Sequence, residues 1–147
     1  MSAKRIAKSG QAKDRVPGNS EWLIYVVDDE LMVAEVVETV LSQESYRVRL
    51  FDNPQSALEA FIAAEPKPDL VFTDYVMGEM SGLELIEQCK RIHPRLKTIL
   101  YSGSVGQEIW EESDIRPDDF LSKPFRPKAL LQIVRGVLEG HHRSTNI

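Results

Sequence analysis

Four apolar runs in this 147-residue chain stop at residues able to do chemistry. The run over 22–27 stops at Asp28-Asp29 and the run over 70–73 at Asp74. The run over 96–101 stops at Ser102-Gly103, and the run over 119–122 at Lys123-Pro124. Three carboxylates brought to one edge repel one another, so they raise each other's pKa or require a cation. A cluster of few oxygen ligands suits Mg2+, which keeps several waters and pairs with phosphoryl oxygens. An Asp carboxylate can act as nucleophile toward a phosphoryl group. A lysine supplies a point charge for a phosphoryl oxygen, and Ser102 adds a hydroxyl donor. In phosphoryl transfer the protein mainly positions groups and neutralises charge, and every part for that is present. Each residue alone has a plainer reading: Asp28 or Asp29 as a helix cap, Ser102 as a turn residue, Lys123 as a solvated charge. Their joint occurrence at four strand ends favours a phosphoryl-acceptor site at Asp74.

The elements that must position these residues follow from apolar spacing. Continuous apolar runs over 22–27 and 70–73 predict strands buried on both faces, as in parallel sheets. The alternation over 46–51 predicts a strand with one exposed face, ending at Phe51-Asp52 with no chemistry assigned. Further strands are predicted over 96–101 and 119–122. Between them lie helices. The first spans 30–44, with Leu31, Val33, Val36, Val37, Val40 and Leu41 near helical spacing. The second starts at Asn53-Pro54, an N-cap followed by a first-turn proline, with Ala57, Leu58, Phe61 and Ile62 as its apolar face. The third covers 82–93 and ends before Pro94, with Leu83, Leu85, Ile86 and Cys89 on one side. A weaker helix is predicted over 105–113 around Ile109 and Trp110. The last covers 127–140, with Leu130, Leu131, Ile133, Val134, Val137 and Leu138, and stops at Gly140. Five β–α alternations predict an α/β, doubly wound, five-stranded parallel sheet with helices on both faces. In such sheets ligands bind outside the carboxyl ends of the strands, where the four chemical ends converge.

Composition narrows the class. The chain is 42% hydrophobic and 28% charged, with a formal charge of −5, as expected of a soluble globular protein. Residues 1–20 hold five basic residues (Lys4, Arg5, Lys8, Lys13, Arg15) against Asp14, whereas the remainder holds 13 basic and 22 acidic residues. An acidic body argues against nucleic-acid binding by the folded part, since such affinity is built on neutralising phosphates. Residues 1–20 read as a disordered basic tail, residues 21–140 as one domain, and residues 141–147 as a short C-terminal tail. No apolar run approaches the ~20 residues that span a bilayer, and the N-terminus lacks the apolar core of a secretory signal. The single cysteine, Cys89, reads as helix packing and fits a reducing compartment, so a cytoplasmic location is expected.

The residues VVDDE at 26–30, TDYVMGEMSG at 73–82, LYSG at 100–103 and FLSKPF at 120–125 together resemble a response-regulator receiver domain of two-component signalling. Their order, strand context and spacing carry the resemblance, which covers nearly the whole predicted domain. It implies a flavodoxin-like, CheY-like fold with Asp74 as phospho-acceptor. It further implies Mg2+ held directly by Asp29, Asp74 and the backbone carbonyl of Val76, with Asp28 acting through water. Lys123 would contact the phosphoryl group, Ser102 would be the switch hydroxyl, Phe120 the aromatic that turns inward with it, and the Lys123-Pro124 bond would be cis. The sequence departs from the family in three places: Gly78 follows Met77 where proline is usual, which predicts a more mobile loop; the switch hydroxyl is Ser; and Gly103 replaces the commoner Ala.

The expected donor is a histidine kinase or phosphotransfer protein. The expected output surface combines the 105–113 helix, the 119–122 strand and the 127–140 helix; Trp110, Arg126 and Lys128 fall on or near it, and the same face could support a homodimer. A stand-alone regulator signalling by protein contact is expected, with a receiver portion of a larger or hybrid signalling protein as the alternative. Apolar Val76, two residues past the acceptor, predicts slow self-dephosphorylation. A phosphatase with an Asp nucleophile would usually carry an acid at that place. An interaction module that is never phosphorylated would not need the acidic site.

Overall fold

The computed structural model describes residues 18–103 and 115–140. Five parallel strands, β1 (Leu23–Val27), β2 (Arg47–Phe51), β3 (Leu70–Asp74), β4 (Lys97–Ser102) and β5 (Asp119–Ser122), form one sheet in the order β2-β1-β3-β4-β5. The chain reverses its winding between β1 and β3, which opens a crevice at their carboxyl ends. The helices are α1 (Leu31–Gln43), α2 (Pro54–Ala63), α3 (Gly82–Ile92) and α4 (Pro127–Glu139). The helix expected over 105–113, with Trp110, lies outside the described residues, as do most of the basic tail and residues 141–147.

Alternation along the strands divides the core in two. Val26, Phe72, Ile99 and Tyr101 point to one face and pack with Val37 and Leu41 of α1 and Leu130, Val134 and Val137 of α4. Tyr25, Val27 and Val71 point to the other, against Ala57 and Phe61 of α2 and Leu85 and Cys89 of α3. Helices therefore cover both faces of a doubly wound sheet. Burial pushes the Cys89 thiol up to about 12, as suits a packing residue.

The helix ends are chemically specified. The Asn53 side chain accepts from the Ser56 backbone N–H at 2.7 Å, and Pro54 occupies the first turn of α2. Ser81 and Glu84 form a reciprocal capping box on α3, which satisfies two donors that a helix start leaves open. Gly140 ends α4 with φ 79°, a left-handed stop that glycine adopts without a Cβ penalty. Asn19–Glu21 form a short 3-10 turn, and the Asn19 side-chain amide donates to the Glu44 carbonyl at 2.7 Å.

Two of the expected apolar faces are wider than what is buried. In α1 the core takes Ala34, Val37 and Leu41, whereas Leu31 (55% exposed), Met32 (80%) and Val36 (55%) face outward. In α2 Ile62 is likewise exposed. At the amino ends of the strands, polar ties set register. The Leu23 N–H donates to the Asp69 carboxylate at 2.8 Å. Asp118 accepts from the Thr98 backbone and from Lys90, binding the start of β5 to β4 and α3.

Candidate phosphoryl-acceptor site

The carboxyl ends of β1, β3, β4 and β5 bring together the residues singled out from the sequence. Asp29, Glu30, Asp74, Val76, Ser102, Gly103 and Lys123 line one open cleft of about 470 Å³. Asp28 lies beneath it, fully buried. Asp74 is the last residue of β3 and only 5% exposed.

The backbone just beyond Asp74 holds its carboxylate in place. The Tyr75 backbone N–H donates to Asp74 Oδ1 at 2.9 Å. The Tyr75 carbonyl in turn accepts from the Gly82 N–H at 2.8 Å, which seats the start of α3 against the end of β3. A Cβ on Gly82 would stand 1.9 Å from the Asp74 carbonyl oxygen, so only glycine allows this approach. Between them the loop turns at Gly78, whose φ of 38° is unavailable to proline, whose ring holds φ near −65°. The departure from the family's usual proline therefore has a local backbone reason. Met77 is buried while Val76 is exposed to the cleft.

Electrostatics at the site centre on Lys123. Its Nζ lies 3.3 Å from Asp74 Oδ1, 3.6 Å from Glu30 Oε1 and 3.7 Å from Asp28 Oδ2. Burial alone would lower the lysine pKa, but Asp28, Asp74 and Glu30 together leave it raised, so it stays an ammonium. Burial and then the Asp28 carboxylate push Asp74 up to about 6, against the opposing pull of Lys123. At neutral pH Asp74 is thus an ionised carboxylate held where ionisation is unfavourable.

One oxygen from each of Asp28, Glu30 and Asp74 lies within 4.8 Å of the other two. Three carboxylates facing one ammonium leave an excess of about two negative charges, which fits a divalent cation on oxygen ligands. Asp29 lines the cleft but is not one of these three. Glu30 was not singled out from the sequence. The acidic run Asp28-Asp29-Glu30 carried the signal, but a residue just before a helix reads first as a cap.

Ser102, the last residue of β4, is buried at the cleft wall. Gly103 sits beside Lys123, and an added Cβ would find it at an ordinary 3.4 Å, so the site does not demand glycine there. Phe120 is half-buried against Leu83, Ile86 and Leu100. The Lys123-Pro124 peptide bond is cis. Arg126 and Lys128 are exposed at the start of α4.

A second partner escaped the sequence reading. The Tyr101 hydroxyl donates to Asp28 Oδ2 at 2.6 Å. In sequence, Tyr101 is one more apolar residue of a buried strand.

Comparison with known proteins agrees with this geometry. The family profile of the response regulator receiver domain matches residues 24–135. The two-component response regulator ORR11 of Oryza sativa subsp. indica is 31% identical over 126 residues, covering 84% of this chain and 85% of that protein. The transcriptional regulatory protein CreB of Escherichia coli K12 is 29% identical over 117 residues, but the chain spans only 50% of its length. Among solved structures, the receiver domain of NtrX from Brucella abortus is 34% identical with a TM-score of 0.69, covering 79% of this chain and 98% of that one. A CheY-like receiver domain protein from Methanospirillum hungatei JF-1 superposes with a TM-score of 0.75 at 23% identity, covering 82% and 95%, and shares the fold.

Proposed function

Because the chain belongs to the response regulator receiver domain family, we propose that Asp74 accepts a phosphoryl group from a histidine kinase or phosphotransfer protein and that the acyl phosphate alters which proteins the domain binds. The observation that carries this reading is the Asp74 carboxylate, buried at a strand end and only 3.3 Å from the Lys123 ammonium in an open cleft. An Asp74 oxygen attacks phosphorus, the bond from phosphorus to the donor breaks, and the donor keeps the electron pair.

Lys123 then holds a phosphoryl oxygen. Ser102, in the cleft wall, supplies the hydroxyl that moves toward it, and Phe120 follows inward. Asp28, Asp29, Asp74 and the Val76 carbonyl would hold Mg2+, with Glu30 beside them. When bound, the ion neutralises the charge that gathers as the phosphoryl group approaches three carboxylates. The exposed apolar residues Met32 and Val36 of α1, with Pro124 and Phe125, border a hollow of about 620 Å³ that also touches Lys123. A protein donor reaching Asp74 would rest on this surface. The output face is proposed to combine β5, α4 and the 105–113 segment. No helix among the described residues is long and apolar enough to cross a membrane, and a cytoplasmic site of action suits a protein donor of this kind.

The test is direct. The protein is incubated with Mg2+ and a small acyl-phosphate donor, and its intact mass is measured beside Asp74→Asn. A gain of one phosphoryl group in the parent and none in Asp74→Asn is expected. No gain in the parent would overturn the reading.

A further inference from the structure

Tyr101 is fully buried one residue before Ser102. By strand alternation it shares a sheet face with Phe72 of β3 and Val26 of β1. Its side chain reaches past β3 to the end of β1, where its hydroxyl meets Asp28 Oδ2 at 2.6 Å. The other oxygen, Asp28 Oδ1, accepts the Glu30 backbone N–H at 2.8 Å. Both oxygens of this buried carboxylate are thus held, one by its own chain segment and one by a residue from two strands away.

The tyrosine ring is itself fixed, with Phe72 at 4.5 Å between centroids and Phe125 edge-on at 5.9 Å. Lys123 Nζ lies over the same ring, 4.9 Å from its centroid. A residue serving only to pack the core could be phenylalanine. A phenol keeps its proton at neutral pH, so the hydroxyl remains a donor.

We propose that Tyr101 is a positioning residue of the acceptor site, whose hydroxyl fixes the orientation of the Asp28 carboxylate and thereby sets the affinity for the divalent cation. This rests on the reading of the cleft as a Mg2+-dependent phosphoryl acceptor. Partners that orient a metal-binding group govern affinity because a free carboxylate must lose rotational freedom on binding. Asp28 has already lost that freedom to Tyr101 and the Glu30 amide.

The experiment compares the parent with Tyr101→Phe, which keeps the ring and its contacts with Phe72, Phe125 and Lys123. Mg2+ is titrated by calorimetry, and the rate of phosphorylation by a small acyl phosphate is followed against Mg2+ concentration. In Tyr101→Phe the Mg2+ dissociation constant should rise about tenfold, and the Mg2+ concentration for half-maximal rate should rise with it. The rate at saturating Mg2+ should stay within about twofold of the parent, because that residue does not touch the phosphoryl group. In an Asp28→Asn background, Tyr101→Phe should have no further effect on Mg2+ affinity. A Tyr101→Phe protein that loses thermal stability but binds Mg2+ as the parent does would overturn the proposal and leave a packing role. A parent that binds no Mg2+ would instead overturn the acceptor reading itself.

Discussion

Asp74 ionises against its surroundings, and that has a cost in stability. An aspartate titrates near 3.9 in an unfolded chain, whereas burial and Asp28 push Asp74 up to about 6. The folded protein therefore binds this proton more tightly. The associated stability is fully present below about pH 4 and lost as pH rises through about 6. Asp74→Asn removes the penalty. Without divalent cations it should stabilise the protein by roughly 3 kcal/mol at pH 7.5, and the gain should fade toward pH 4. Urea melts of both proteins at the two pH values check this, and an equal gain at both would contradict it. At the same cleft, exposed Val76 offers no polar group to attacking water. On the proposed reading, Val76→Asn should shorten the lifetime of phosphorylated Asp74 several-fold, followed by the decay of intact phosphorylated mass. Asp74, Ser102 and Lys123 were legible because each follows an apolar run. Glu30 and Tyr101 were not. Glu30 sits in a helix-cap position, and the partner of Tyr101 lies 73 residues away, a distance that periodicity does not span.

Among the elements, α3 is the one that seats the end of β3, which carries Asp74, the proposed acceptor. Its first residue, Gly82, presses on the Asp74 carbonyl, where a Cβ would stand 1.9 Å away. Gly82→Ala should cost about 2–3 kcal/mol through overpacking against backbone, read from thermal or urea melts. It should also slow phosphorylation by displacing the end of β3. Ser81→Ala, one residue earlier, removes half of the capping box. That should cost about 1 kcal/mol with little effect on phosphorylation, which separates helix stability from site geometry. The start of α2 and both ends of α3 and α4 were readable to within a residue because an N-cap with a first-turn proline, Pro94 and Gly140 mark them. The burial of α1 was less readable. Its apolar residues exceed what the core takes, and periodicity alone does not say which of Leu31, Val36 and Val37 faces the sheet.

At the scale of the molecule, the proposed docking role of the outward α1 residues predicts a difference between protein donors and small ones. Met32→Lys should slow phosphoryl transfer from a cognate protein donor by about tenfold or more, as expected when a docking surface gains a charge. The rate with a small acyl phosphate should be unchanged, since Met32 is 80% exposed and outside the acceptor cluster. Comparing the two donors on the same variant is the measurement. A parallel sheet with helices on both faces followed from β–α alternation, whereas its CheY-like form was implied by the resemblance alone; the pairing of β1 with β3 is what gathers Asp28 and Asp74. That gathering has a temporal meaning. The site takes parts from residue 28 to residue 123, and Lys123 directly follows β5, the last strand of the sheet to be synthesised. A growing chain carries Asp74 long before it carries Lys123. On the proposed reading, the acceptor therefore lacks its lysine until the whole sheet has been made, so the site is completed only late in synthesis.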